Sequence, residues 1–280
     1  MEVGIDFKNI ISYNENMAKG LSDKLFFLNN LKFHRSIHEY LFVDFGCADG
    51  TLINAMYEFL DAQGIKAYYI GYDISETMID LAKTKFTHYT DNVLFTSNWD
   101  EVEAEMKVRD DMQSVLILSS VIHEVYSYAE NNADIDIFWD RVLHSGFKYI
   151  CIRDMMCSKD INRETNEELR NKLIDYVARN PILNKLFNSF RDIWGPTTNN
   201  KNFIHFLLKY RWQINWEREV HENYFPLYID EFLRGFTDTY NLTFFERFRV
   251  PFLDKCFKED LNIELEDYTH IKAIFEAKKN

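Results

Sequence analysis

Val43-Asp44-Phe45-Gly46-Cys47-Ala48-Asp49-Gly50 places a turn of small residues directly between a strand-like run and a helical one. Before it, Tyr40-Leu41-Phe42-Val43 is a short apolar run of the kind a buried parallel strand shows. After it, Leu52, Ile53, Met56, Phe59 and Leu60 recur at helical spacing. Glycines at 46 and 50 permit backbone angles closed to other residues, and with Ala48 they let the main chain approach a ligand closely. A strand, tight turn and helix in this order suit a nucleotide-shaped ligand. Charge narrows the choice. Backbone amides at a helix N-terminus favour phosphate, yet carboxylates stand at 44 and 49. Unit charges 4 Å apart in water repel by about 1 kcal/mol, and by more where partly buried. A cationic ligand is therefore the better match.

S-adenosylmethionine carries an ammonium and a sulfonium and has no phosphate, so it fits this inventory where a dinucleotide does not. At this point Asp44-Phe45-Gly46-Cys47-Ala48-Asp49-Gly50 resembles the first motif of the class I S-adenosylmethionine-dependent methyltransferases, acid-x-Gly-x-Gly-x-Gly, with Ala48 departing from the middle glycine. The resemblance implies that Asp44 and the loop residues Gly46, Cys47, Ala48 and Gly50 hold the methionine part of the cofactor, and that S-adenosylhomocysteine is released. Ile65 to Asp73 reads as a second strand ending in an acid, and Ser75-Glu76-Thr77-Met78 opens a helix with capping residues. By resemblance Asp73 binds the ribose hydroxyls, with Ile74 beside it. Asn92 to Thr96 reads as a third strand. There the resemblance sets Asn98 against the adenine amino group, where an Asp is usual, and Trp99 beside the ring.

Ser114 to Ser119 reads as a fourth strand running into Ser120-Val121-Ile122-His123-Glu124. In the resembling family, residues just past this strand face the sulfonium and the acceptor, which brings in Ser119, His123 and Glu124. A helix from about Ile135 to Leu143 and a strand from Tyr149 to Met155 complete another crossover. Alternation of strand and helix over residues 40 to 156 implies a parallel sheet covered on both faces, with ligands at the carboxyl ends of the strands. Residues 159 to 240 read instead as helices, near 166–179, 182–193, 202–210 and 226–240. Strand character returns at 242–250 and 270–277, suiting an antiparallel final pair. The expected architecture is α/β: a Rossmann-like, seven-stranded, mostly parallel sheet with helices on both faces and a helical insertion before the last two strands. Residues 1–158 and 241–280 form the cofactor-binding core, and 159–240 a lid that selects the substrate.

The chain of 280 residues carries a net charge of −13, which disfavours long polyanions, since non-specific nucleic-acid binding relies on Lys and Arg contacts to phosphate. A small-molecule acceptor is the first expectation. Residues 159–218 nevertheless hold eleven Lys or Arg against seven Asp or Glu. Arg163, Arg170, Arg179, Lys185, Arg191, Lys209 and Arg211 could form a local basic surface for a structured RNA, or stand as solvated helix faces. No apolar run approaches the roughly 18 residues of a membrane span, and the N-terminus lacks a signal-peptide pattern. The expectation is a cytoplasmic protein. Cysteines at 47, 151, 157 and 256 show no paired metal spacing and read as reduced thiols, Cys47 as a small loop residue, with no metal expected.

Methyl transfer is an in-line displacement, so positioning and desolvation can supply most of the rate. For a hydroxyl acceptor His123 could take the proton, with Glu124 orienting it or serving instead; the competing reading makes both packing residues at a strand-helix junction. Asp154, at the end of the fifth strand, is a further candidate. Glu217 and His221, four residues apart on one helix face, resemble half a metal site or form an exposed pair. Tyr13, Met17, Lys24 and the run Leu25-Phe26-Phe27-Leu28 suggest a helical segment before the first strand, a region that covers the methionine end of the cofactor in similar enzymes. Two other function classes stay open: a nicotinamide-dependent oxidoreductase, and a catalytically silent cofactor-binding or partner-binding protein. Sixteen Tyr and twenty-four Phe would serve a flat substrate pocket or a homodimer interface equally well.

Overall fold

The computed structural model describes residues 20–31, 39–87 and 91–279. The opening apolar run forms β1 (Tyr40–Phe45), buried at every position. Alternation along it sends Leu41, Val43 and Phe45 into one hydrophobic cluster and Tyr40 and Phe42 into another, as the two-residue period of a strand requires. Beside it lie β2 (Ala67–Tyr72), β3 (Val93–Thr96), β4 (Gln113–Ser119), β5 (Tyr149–Met155), β6 (Tyr240–Phe248) and β7 (His270–Ala277). These make one seven-stranded sheet in the order β3-β2-β1-β4-β5-β7-β6. Strands β1 to β5 pair in parallel, while β7 runs antiparallel to both β5 and β6.

Helices cover both faces. Before β1 come two short turns, α1 (Leu21–Lys24) and α2 (Phe27–Asn30). One face is packed by α2, α3 (Thr51–Asp61) and α4 (Glu76–Lys85) through Phe27, Ile53, Met56, Leu60 and Ile79. The other is packed by α5 (Trp99–Val108), α6 (Ile122–Tyr128) and α7 (Asn132–His144) through Val102, Ile122, Phe138 and Val142. Because β1 has β2 on one side and β4 on the other, the chain reverses its winding there. This is the crevice where open α/β sheets bind ligands.

Past β5 come α8 (Glu167–Ala178), α9 (Pro181–Trp194), α10 (Asn200–Lys209), the short α11 (Trp216–Glu219) and α12 (Ile229–Phe236). Asn166, Asn180 and Asn199 cap α8, α9 and α10 with their side-chain oxygens. The first four helices close a separate hydrophobic cluster around Phe187, Phe190, Phe203 and Phe206. Two features differ from the sequence expectation. First, α12 belongs to the sheet: Ile229, Phe232 and Phe236 pack with Phe275 of β7. Second, a helix α13 (Pro251–Leu261), not anticipated, interrupts the final strand pair, and its Phe257 and Leu261 complete the lobe's interior. Leu253, Cys256, Phe257 and Leu261 give it an apolar face at helical spacing behind Pro251 at its first position. Among the described residues, no helix is long and apolar enough to cross a membrane.

Candidate active site

The loop after β1 is held in a shape that only small residues permit. Gly46 and Gly50 have φ of +77° and +75°, and a Cβ on them would lie 2.8 Å from Val121 and from the Phe95 ring, respectively. Ala48 shares the left-handed conformation at φ +47°, which turns its N–H toward Asp73, where it donates to Oδ2 at 2.9 Å. The Ser75 N–H donates to Oδ1 at 2.9 Å. Asp73 thus ties the loop to the end of β2, and its carboxylate retains acceptor capacity beyond these two bonds. Burial lifts its pKa above the ordinary range.

A narrow cleft opens beneath this loop, lined by Lys24, Asp44, Cys47 and Ser119 among others. Asp44 is buried, and desolvation raises it to about 7, with Lys24 opposing. Desolvation likewise lowers Lys24 to about 8, followed by the Arg153 charge. Lys24 is held over the cleft by its neighbour: Asp23 pairs with Arg153 at 3.2 Å and with Lys272 at 2.5 Å. Arg153 also donates to the Ser120 hydroxyl at 2.8 Å, and Ser120 sits at φ +60°. Among the described residues the buried Ser119 hydroxyl has no hydrogen-bond partner, a condition that native structures seldom leave uncompensated. Of the two acids invoked against phosphate, Asp49 is already neutralised: it accepts from the Thr51 N–H and hydroxyl and pairs with Lys85 at 2.8 Å. Asp44 and Asp73 are the acids that remain. Burial, then the neighbouring carboxylates, push the Cys47 thiol far above its usual range, which makes it a packing residue.

Where β4 ends, Asp154 of β5 gathers the turn. Its Oδ2 accepts the Val121 and Ile122 N–H groups at 2.9 and 2.7 Å, and its Oδ1 meets His123 Nδ1 at 2.7 Å. On His123 desolvation pulls the pKa down, but Asp154 and two glutamates outweigh it and the net direction is up. On Asp154 burial opposes ionisation, and His123 with the backbone donors overcomes it, holding the carboxyl low. The other ring nitrogen, Nε2, faces Glu222 at 3.9 Å, and Tyr224 stands edge-on to the ring. Arg218 bridges Glu124 at 3.1 Å and Glu222 at 3.0 Å, while Tyr128 donates to Glu222 at 2.8 Å. Burial, ahead of the Arg218 attraction, raises Glu124 to about 7. The lobe segment after α10 therefore reaches the carboxyl ends of β4 and β5, within the field of Asp73.

Parallel strands β1 to β5, β7 reversed against β5 and β6, a left-handed loop after β1 and an acid closing β2 now stand together. This is a Rossmann-like, seven-stranded, mostly parallel fold with an antiparallel final pair. Among solved structures, the S-adenosylmethionine-dependent methyltransferase from Mesorhizobium loti is 13% identical, with 89% of this chain and 94% of that one covered at a TM-score of 0.48. That from Anabaena variabilis is 11% identical, with 98% and 96% covered at 0.49. SCL7 of Oryza sativa is 10% identical, with 95% and 82% covered at 0.49. At such overlap these likenesses add no weight to the strand order, which carries the fold by itself. No family model matches the chain, and no curated protein matches it.

Within this fold the residues expected beyond β2 and β3 separate. Ile74 is 85% exposed beside Asp73, an apolar side chain left at the rim of the crevice. Asn98 is exposed too, but its oxygen caps α5 by accepting the Asp100 N–H at 3.0 Å, so a contact with an adenine amino group would have to share that oxygen. Trp99 is buried against Phe45 and Tyr72, with its indole N–H donating to Glu103. As the first residue of α5 it falls on the face turned toward the sheet. Glu217 and His221 are displaced, since His221 Nδ1 bonds the Glu217 carbonyl at 2.8 Å. The i,i+4 pair that reaches the site is Arg218 and Glu222, one residue further on. Sequence spacing alone offers both pairs equally. Tyr13 and Met17 lie outside the described residues.

Proposed function

We propose that this protein transfers a methyl group from S-adenosylmethionine to an oxygen or nitrogen of a small molecule. The observation that carries the reading is the buried, unpartnered Ser119 hydroxyl in a cleft beside Asp44 and Lys24. A lone hydroxyl flanked by an acid and an ammonium is complementary to an amino-acid zwitterion, the acid for its ammonium and the lysine for its carboxylate. Asp73 accepts from the ribose hydroxyls, and the exposed Ile74 offers an apolar surface for the adenine. When bound, the cofactor supplies an electrophilic methyl group on a positive sulfur.

His123 and its carboxylate partner favour a hydroxyl acceptor among the alternatives. Donating Nδ1–H to Asp154 fixes the tautomer and leaves Nε2 to take the acceptor's proton. Arg218 and Glu222 close this side from above and exclude water. The basic lobe supports RNA less well than composition suggested. Arg163 pairs with Asp267, Arg211 pairs with Asp260, and Lys209 is buried beneath Tyr224 on the Glu219 and Glu222 carbonyls. Calorimetric titration with S-adenosylmethionine, followed by tritiated methyl transfer into metabolite, protein and RNA fractions, tests the proposal. Binding with label in the metabolite fraction upholds it; binding with no transfer leaves a silent cofactor-binding protein, and tighter binding of a nicotinamide dinucleotide overturns it.

A further inference from the structure

Seven cations stood out in the helical lobe, and the structure disposes of them unequally. Two are neutralised by aspartates and one is buried on carbonyls. Arg170 of α8 and Arg191 of α9 instead line one open pocket of about 300 Å³, bordered by residues 196–198. None of the lining residues is acidic, in a chain whose overall charge is −13. Neither guanidinium takes part in an ion pair among the described residues, where Arg163 and Arg211 on the same lobe both do. Arg191 makes a ring contact with Phe187. Among the described residues the buried Nε of Arg170 has no hydrogen-bond partner.

The cavity's other walls are of two kinds. Phe187, Ile174 and Val177 supply an apolar floor, and Asn184 and Asn188 on α9 add amide groups. A buried guanidinium nitrogen without an acceptor costs free energy comparable to a lost charged hydrogen bond, and planar guanidinium forks match carboxylate and phosphate oxygens. The volume lies at the lower end of the range for small-molecule sites. We infer that this cavity is a second ligand site, separate from the methyl-transfer cleft, that takes an oxyanion carried on an apolar or aromatic body. None of its lining residues is shared with the cleft under β1. The C-terminal residue of α9 meets the segment that reaches His123: Trp194 donates to the Val220 carbonyl at 2.7 Å.

Benzoate and phenyl phosphate, titrated by calorimetry into the full chain without S-adenosylmethionine, are the probes, with neutral benzamide as the comparison. One or both anions bind, the stronger one naming the headgroup, and benzamide binds at least tenfold more weakly. Arg170→Gln and Arg191→Gln each raise the dissociation constant at least tenfold with an unchanged melting temperature. Asn188→Asp, on an exposed position of the wall, weakens binding in the same direction by adding a negative charge, and serves if an arginine variant melts early. No binding of either anion, equal binding of benzamide, or unchanged binding in all three variants overturns the site. Because the titrations need no methyl donor, their failure leaves the transferase reading standing, and failure of that reading leaves this one.

Discussion

The cleft under β1 and the cavity in the lobe are built in opposite ways. The first is made mainly by backbone: left-handed Gly46, Ala48 and Gly50 shape it, and Asp44, Asp73 and Lys24 set its charge. The second is made by side chains meeting between two helices, with guanidiniums unopposed by any acid. One sets a carboxylate and an ammonium side by side; the other has two guanidiniums and no acid in its lining. A single chain keeps both because they occupy separate hydrophobic clusters and share no lining residue. A site written in backbone geometry leaves a mark in local sequence, whereas one written in helix packing does not.

The largest effect should come from Asp154→Ala, which strips the buried partner from His123 and from two backbone N–H groups. Breaking a buried charged pair costs about 3–5 kcal/mol, so denaturant unfolding should show a loss of that size while Arg170→Gln shows none. A smaller loss would mean that the strand ends beneath the cleft are as tolerant as the lobe cavity. Next, Gly50→Ala places a Cβ against Phe95 in a left-handed conformation, costing about 1–3 kcal/mol of strain. It should also abolish measurable cofactor binding; an unaltered titration would show that the loop does not shape the site. Asp73→Ala should raise the cofactor dissociation constant at least tenfold, equivalent to about 1.4 kcal/mol. Calorimetry that found no change would remove the ribose assignment.

Two pH effects sharpen the contrast further. With Asp44 at about 7, the carboxylate that faces a ligand ammonium is mostly protonated at low pH. Cofactor affinity should therefore strengthen several-fold between pH 6 and 7.5, and Asp44→Asn should flatten the curve. His123 works in the other sense for stability. Its pKa is raised on folding, so its contribution is complete below the ordinary value near 6.5 and fades as pH climbs through the higher folded value. A base needs the neutral ring, so methyl transfer should rise over that same higher interval. A rate profile that levels off below it would exclude His123 as the proton acceptor. The smallest effect belongs to Glu217→Ala and His221→Ala, exposed positions outside both sites, which should stay within about 0.5 kcal/mol of the parent stability.

Much of the sheet was legible because its signals are local. Apolar runs of strand length, capping residues such as Ser75, and glycines at 46 and 50 each announce themselves within a few positions, and they marked the seven strands and the loop. That Trp99 packs against Phe45 and Tyr72 was not legible, because the motif fixes where α5 begins but not which way its first side chain turns. The unpredicted α13 had a readable face, but it sat between the two segments expected as the final strand pair. Arg218 and Glu222 were passed over for Glu217 and His221 because a four-residue spacing does not say which pair faces inward.

By itself the sequence determined the alternation of strand and helix, the loop that must be glycine-bearing, and the acids that end β1 and β2, since each depends on backbone angles and neighbours close in the chain. Only the tertiary structure decided that Asp49 is cancelled by Lys85, that Lys24 comes to stand beside Asp44, and that His123 is gripped by Asp154 thirty-one residues away. It alone decided, too, which lobe arginines are left unpaired. Charge neutralisation and burial are pairwise facts about distance in space, and distance along the chain does not set them.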